Sequence, residues 1–235
     1  MVSLQNKKIL VVVAHPDDEL LGPGATINRL VTKNNCTVKV VILGEGITSR
    51  SDKRNTLTWK KELKKHKENI LKAKKFIGYQ QLSVHDFPDN RFDSVTLLDI
   101  IKVIEKEKKD FKPQIIFTHH GGDVNIDHQL CYEAVITACR PLENETVQTI
   151  ITFETPSSTE WRPYTGSKQF EPDLFVSVTE KQLENKIRAM ECYEFEKRKY
   201  PHPRSPQALK IQAQRWGVAV GKKFAEAFSI IRHIA

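Results

Sequence analysis

The chain has 235 residues, of which 39% are hydrophobic and 28% charged, with a formal charge of +8. That length can bury one sizeable core, and the composition does not imply disorder. No apolar run approaches the ~20 residues that cross a bilayer, and the N-terminal stretch lacks the layout of a signal peptide, so a cytoplasmic protein is expected.

In chain order, residues 9–13 form a continuous β-branched and apolar run, the pattern of a parallel strand buried on both faces. Gly22, Pro23 and Gly24 break the chain, and residues 25–31 read as helix. Residues 37–43 are a second buried strand, followed by a polar loop over 44–55. Trp59, Leu63, His66, Ile70, Ala73 and Ile77 recur at helical spacing, and the many lysines between them mark a solvated face. Residues 82–87 are a third strand and 88–91 a turn. Leu97, Leu98, Ile101 and Ile104 mark another helix. Residues 114–118 are a fourth strand, 119–127 a polar loop, and 128–139 a helix. Residues 147–153 and 174–178 add two strands. Thr179 caps a helix running to about Glu196, with Gln182 completing a capping box. Residues 200–206 interrupt helix, and a last helix follows. The alternation predicts one α/β domain over 1–235, in three layers with a largely parallel sheet.

Two polar segments follow strands: Ala14-His15-Pro16-Asp17-Asp18-Glu19, and Asp123-Val124-Asn125-Ile126-Asp127-His128. Ligands of a parallel sheet gather beyond the carboxyl ends of its strands, so both segments point to one rim. Asp17 or Asp18 alone could cap a helix, and His128 alone could be a surface histidine. Two such clusters on one rim favour a metal site. Pro16 stiffens the first turn, which can aim His15 and Asp18 at one ion while Asp17 points elsewhere. Two histidines and a carboxylate leave positions open for water and substrate, with a spare carboxylate as base. Zinc would lower the pKa of a bound water to ~7, and the same ligand set also suits ferrous iron. Gly22 and Gly24 do not continue as a dinucleotide loop, because Ile27 stands where the third glycine belongs. The lysines lack interleaved aromatic residues, so no nucleic-acid partner is expected. The four cysteines form no C-x-x-C pair and are expected to be reduced.

The stretch from Ala14-His15-Pro16-Asp17-Asp18-Glu19 through Gly22-Pro23-Gly24-Ala25-Thr26 resembles the hallmark of the LmbE-like, PIG-L-type N-acetylglucosaminyl deacetylases. The similarity continues through Asp127-His128 to Pro201-His202-Pro203-Arg204-Ser205. It implies a Rossmann-like fold and zinc-dependent removal of an acetyl group from an amino sugar. It also implies His15, Asp18 and His128 as metal ligands and Asp17 as general base. Many relatives carry a histidine three residues before the last ligand, where this chain has Asn125. Asparagine can donate a hydrogen bond to an oxyanion but cannot deliver a proton, which leaves that step to Asp17 or His202. Asp127 is expected to orient His128 or a neighbour from behind. Arg50, Asp89, Arg91 and Arg204 are expected to hold the sugar. His119, His120 and Glu154 also follow strands. The expected partner is a small N-acetylated sugar or sugar conjugate. The alternatives are an amidase for a thiol–sugar conjugate and a non-catalytic metal-containing sugar-binding protein. The spare carboxylate of Asp17 argues against the last.

Overall fold

The computed structural model describes residues 2–163 and 169–235. Strand β1 (Lys8–Val13) shows how the layers arise. Ile9, Val11 and Val13 enter one apolar cluster and Leu10 and Val12 enter another, all fully buried. Successive side chains of a strand leave on opposite faces, so a run that is apolar at every position needs cover on both sides. Each such side chain contributes about 1.5–3 kcal/mol on burial.

The remaining strands are β2 (Thr37–Gly44), β3 (Gln81–Phe87), β4 (Ile115–His119), β5 (Thr149–Phe153), β6 (Leu174–Ser177) and β7 (Ala225–His233). The helices are α1 (Asp18–Leu21), α2 (Gly24–Thr32), α3 (Lys60–Ile77), α4 (Leu97–Phe111), α5 (Ile126–Ala138), α6 (Glu180–Met190) and α7 (Pro206–Ala219). One face of the sheet packs against α2, α3, α6 and α7, and the other against α4 and α5. The sheet order is β3-β2-β1-β4-β5-β7-β6. Neighbours from β3 to β5 are parallel, and β7 is antiparallel to both β5 and β6. The fold is thus a three-layer, Rossmann-like α/β structure with a mostly parallel sheet. From β1 the chain moves outward to β2 and β3, and from β4 it moves the other way to β5. A crevice opens where the order reverses, beyond the ends of β1 and β4. His15 follows β1, and His119, expected in a loop, is the last residue of β4.

Two elements differ from the sequence reading. Helix α6 has the expected capping box of Thr179 and Gln182 but stops at Met190 rather than near Glu196. Residues 191–196 instead turn inward, burying Tyr193 completely and carrying Glu196 to the crevice. The sequence reading placed nothing after the last helix, whereas the structure adds β7 between β5 and β6. Its alanines and Glu226 give no strand signal, and pairing on both sides decides its conformation.

Glu226 also fastens this strand to the opposite end of the chain. Its carboxylate accepts the N–H groups of Ala25 (3.1 Å) and Thr26 (2.6 Å) at the start of α2. Lys186 Nζ donates to Glu226 Oε1 (2.6 Å) and to the carbonyls of Leu21 (2.9 Å) and Gly22 (3.0 Å). Gly22 itself admits no side chain, since a Cβ would lie 2.1 Å from the Phe153 ring. Breaking a buried ion pair by removing one partner leaves a charge uncompensated and costs about 3–5 kcal/mol. Lys186→Met should therefore lower the unfolding free energy by about that amount, and Lys186→Met combined with Glu226→Gln should recover more than half of it. Urea denaturation of the three proteins measures this, and a harmless single substitution would contradict it.

Candidate metal centre

The turn after β1 holds its side chains through the backbone. Asp17 adopts φ 102°, in the left-handed region that favours glycine. Its carbonyl accepts from Leu20 and Leu21 (both 2.9 Å), starting α1, and its N–H donates to Glu19 Oε2 at 3.0 Å. Glu19 is fully buried and accepts the Tyr193 hydroxyl at 2.6 Å, and burial pushes its carboxyl up to about 7. A non-glycine residue in this conformation stores strain that its surroundings must hold. Gly46 closes the loop onto the turn at φ 55°, where a Cβ would come within 2.5 Å of Pro16 Cδ.

Asp18 lies at the centre of the crevice. Its Oδ2 accepts the His15 N–H at 2.8 Å and lies 3.5 Å from His15 Nδ1, 3.3 Å from His128 Nε2 and 3.4 Å from His119 Nε2. Burial raises the Asp18 carboxyl, but His128 and His119 outweigh it and hold it well below the usual range. Behind each candidate ligand histidine stands a second carboxylate. His15 Nε2 lies 2.8 Å from Asp127 Oδ2, and the other oxygen of Asp127 accepts the Phe92 N–H at 2.9 Å. His128 Nδ1 lies 3.2 Å from Asp123 Oδ2. Asp123 also accepts the Thr159 hydroxyl at 2.7 Å and that of Ser158. Despite its burial, His128 and these hydroxyls pull its pKa to about 2. Burial works against the charged form of both histidines, yet the carboxylates raise His15 well above the ordinary value and His128 to about 9.

His15, Asp18 and His128 present ligand atoms within 4.8 Å of one another. The donor set fits a divalent metal, because two imidazoles and a carboxylate converge while each imidazole is backed by a carboxylate. His15, Asp89 and Asp127 meet the same distance test. There, however, the His15 nitrogen is already paired with Asp127. His119 has no free nitrogen to offer. Its Nε2 accepts the Ala14 N–H (3.0 Å) and its Nδ1 meets the Thr155 hydroxyl (3.0 Å). Burial pushes its pKa to about 4, so it stays neutral and stacks on His128 with ring centroids 3.9 Å apart.

A cavity of about 260 Å³ opens above, lined by His15, Asp17, Arg50, His66, Asp89, Asn125, Trp161, Glu196, Arg198, His202 and Arg204. Asp17 Oδ2 accepts from Arg204 Nη1 at 2.9 Å, and Oδ1 has no hydrogen bond among the described residues. Burial pushes the Asp17 carboxyl well above its ordinary value; Arg204 pulls the other way, and the negative charges of Asp18, Glu196 and Glu19 add to the rise. Asn125 caps α5, accepting the Asp127 N–H at 2.8 Å, and its amide donates to Asn90 Oδ1 at 2.8 Å. His202 Nδ1 accepts the Arg204 N–H at 3.2 Å, and its ring meets Trp161 edge-on. Asp89 accepts the Ser49 N–H (3.1 Å) and hydroxyl (2.6 Å), tying that loop near His15.

Of the residues expected to bind metal, catalyse or hold the sugar, the structure brings all but Arg91 to this crevice. Arg91 lies outside the cavity lining and donates instead to the carbonyls of Ser51 (3.1 Å) and Asp52 (3.0 Å). Asp127 stands behind His15 rather than His128. His120 and Glu154 lie outside the lining as well. Asp123, Glu19, His66, Glu196 and Arg198 were not singled out from sequence. Asp123 and Glu19 sit in the two polar segments that follow strands, whereas His66, Glu196 and Arg198 carry no local signal.

His66 is 2% exposed on α3, with its Nδ1 unpartnered, and burial pushes its pKa from 6.5 to about 4. A base whose folded pKa is depressed keeps the fold stable above the unfolded pKa and loses that stability as pH falls. The metal-free protein should therefore lose up to about 3 kcal/mol through His66 between pH 6.5 and 4. His66→Gln should flatten that part of the profile in urea titrations at successive pH values. Parallel profiles would refute it.

The chain has relatives among known proteins. Residues 10–139 match the family model described as PIG-L, GlcNAc-PI de-N-acetylase. A protein of Escherichia coli K12 named as the uncharacterized deacetylase YaiS is 31% identical over 202 residues, covering 81% of this chain and 93% of its own length. The structure of N,N'-diacetylchitobiose deacetylase from Pyrococcus horikoshii superposes with a TM-score of 0.71 at 17% identity, over 96% of this chain and 84% of that one. GalB, the 4-carboxy-2-hydroxymuconate hydratase of Pseudomonas putida KT2440, superposes with a TM-score of 0.72 at 20% identity, over 97% and 98% of the two chains. A deacetylase and a hydratase thus share the fold, and the architecture alone does not select the chemistry.

Proposed function

The chain belongs to the PIG-L family of de-N-acetylases, and on that premise we propose that it is a zinc-dependent hydrolase that removes the N-acetyl group from an amino sugar or glycoconjugate. The observation that carries the reading is Asp17: a buried carboxylate lining the cavity beside the ligand set, with one oxygen fixed by Arg204 and the other without a hydrogen bond among the described residues. A pure binding protein has no use for such a group, held in a strained conformation and away from the ligand positions.

His15, Asp18 and His128 would hold the metal, with Asp127 and Asp123 fixing the two imidazoles. Zinc there would supply a Lewis acid for the amide carbonyl and acidify a water. Asp17 Oδ1 takes the proton of the attacking water. Burial raises its pKa, so Asp17 keeps that proton near neutral pH until the leaving amine, a stronger base, takes it. Asn125 keeps one amide hydrogen beyond its bond to Asn90 and donates it to the developing oxyanion. Burial, Arg204 and Arg198 lower the pKa of His202, so less of it carries a proton near neutral pH than of an ordinary histidine. It therefore serves as a hydrogen-bond donor at the rim rather than as the proton source. Arg50, Asp89 and Arg204 frame the sugar, and Arg91 supports the loop over residues 51–52. The cavity of about 260 Å³ is at the small end of ligand pockets, which run ~300–1,000 Å³, and suits a single sugar ring.

Protein purified without chelators should contain one divalent ion per chain by elemental analysis. His128→Ala should lose it and Asp17→Asn should retain it. Release of acetate from a panel of N-acetylated sugars tests the activity itself, and inclusion of thiol–sugar conjugates separates the amidase alternative.

Asp17→Asn should lower turnover by ~10²–10⁴-fold. In the wild type, activity should fall as pH drops through the raised pKa of Asp17. Removing Arg204, which favours the ionised form, should move this acid limb to higher pH. An unshifted limb in Arg204→Ala would show that another group acts as the base.

Loss of one oxyanion donor costs ~10²–10³-fold in turnover, so Asn125→Ala should fall in that range with its metal retained. His202→Gln should leave the basic limb of the pH–rate profile in place. A displaced basic limb would make His202 the acid instead.

A further inference from the structure

The wall of the cavity away from the metal residues is built from cations. Arg50, Arg198 and Arg204 all line it and gather on one carboxylate, Glu196. Arg50 Nη2 donates to Glu196 Oε1 at 2.5 Å and to the Phe195 carbonyl at 2.9 Å. Arg204 Nη1 donates to Glu196 Oε2 at 2.9 Å, and Arg198 Nη2 stands 3.6 Å from the same oxygen. Guanidinium groups this close repel one another unless anions lie between them. Glu196 supplies one negative charge and Asp17, through Arg204, a second. Asp89, 3.5 Å from His15, is the third carboxylate of the lining.

The donors are incompletely used. Among the described residues, Arg50 Nη1, Arg198 Nη2 and Arg204 Nη2 have no hydrogen-bond acceptor, while their neighbouring nitrogens are fixed by Phe195, Lys197, Ser157 and the two carboxylates. The Arg50 and Arg198 side chains remain 37% and 39% exposed. The network thus leaves N–H groups of Arg50, Arg198 and Arg204, three residues that line the cavity, without a hydrogen-bonded acceptor among the described residues. Arginine forks match carboxylate and phosphate oxygens. Forks arriving from separate stretches of chain, at residues 50 and 198, suit a tetrahedral group better than a planar one.

Resting on the reading of this cavity as a deacetylase site, we propose that the substrate is a phosphorylated amino sugar, whose phosphate oxygens are bound by Arg50 and Arg198 beside Glu196. Arg204 remains committed to Asp17. A cavity sized for one sugar ring puts the phosphate at the mouth, and whatever else it carries lies outside.

The test uses wild-type, metal-loaded protein and probes that cannot be deacetylated: glucosamine, glucosamine 1-phosphate and UDP-glucosamine, each titrated by calorimetry. A phosphate probe should bind roughly tenfold or more tighter than glucosamine, since hydrogen bonds to charged groups are the strong ones. Arg198→Ala and Arg50→Ala should each shrink that ratio, and Arg198→Lys should keep part of it. Preference for the monoester would identify a sugar phosphate, and preference for the diester a nucleotide-linked sugar. Equal affinity for all three probes would overturn the proposal. So would a phosphate preference that survives both arginine substitutions but vanishes in His128→Ala, because the phosphate would then sit on the metal. Acetate release from the N-acetylated counterparts is scored separately. Phosphate-selective binding without any acetate release would refute the deacetylase reading and leave the phosphate site standing. Arginine-independent release from neutral and phosphorylated sugars alike would do the reverse.

Discussion

One carboxylate oxygen, Asp18 Oδ2, is approached by three imidazoles and one backbone N–H, all within 3.5 Å and all shielded from water. Everything around it serves to keep that concentration of polar groups in a dry crevice. Burying ionised groups costs several kcal/mol each unless partners satisfy them. The partners here come from four separate stretches: the turn after β1, the end of β4, the cap of α5 and the loop holding Asp89. The reversal of strand order between β1 and β4 makes this possible, because it leaves the ends of two adjacent strands uncovered by a crossover.

Each imidazole is then fixed by what lies behind it. Asp127 and Asp123 back His15 and His128, and Ala14 and Thr155 pin His119. The two backing carboxylates are themselves fixed, by the Phe92 N–H and by the hydroxyls of Ser158 and Thr159. This depth of support holds side chains in one geometry before any ligand arrives, which is what both metal affinity and transition-state stabilisation require. His119 shows how far the arrangement reaches. It presents a neutral flat face to His128 and takes up the N–H of the residue just before the ligand turn.

The second half of the chain supplies the wall. Tyr193 anchors residues 191–196 by reaching Glu19, and the turn that follows brings Glu196, Arg198, His202 and Arg204 over Asp17. The Arg204–Asp17 pair therefore couples the late loop to the early motif across 187 positions. Glu226 and Lys186 tie the same region to the start of α2. The segments that carry the chemistry are held by residues far from them in sequence, and the strain at Asp17 is tolerable because both Glu19 and Arg204 hold it.

By itself the sequence determined the layering and the location of the site. Uninterrupted apolar strands dictate cover on both faces, and short polar segments directly after them dictate a cluster at one rim. These are local patterns with local causes, so the strands before His15 and before the second histidine segment were legible, as were the capping box of Thr179 and the residues gathered in the two polar segments. The tertiary structure decided what depended on partners distant in the chain. Strand β7 is a strand because β5 and β6 flank it. Asp127 backs His15, 112 positions away, while Asp123 backs its near neighbour His128. Arg91 turns to a loop carbonyl although its neighbour Asp89 faces the cavity. Helix α6 ends early because the interior takes Tyr193. Spacing in sequence fixes which residues are near a strand end, but a side chain's direction there follows from the hydrogen bond or burial that wins in three dimensions, and no single segment encodes that competition.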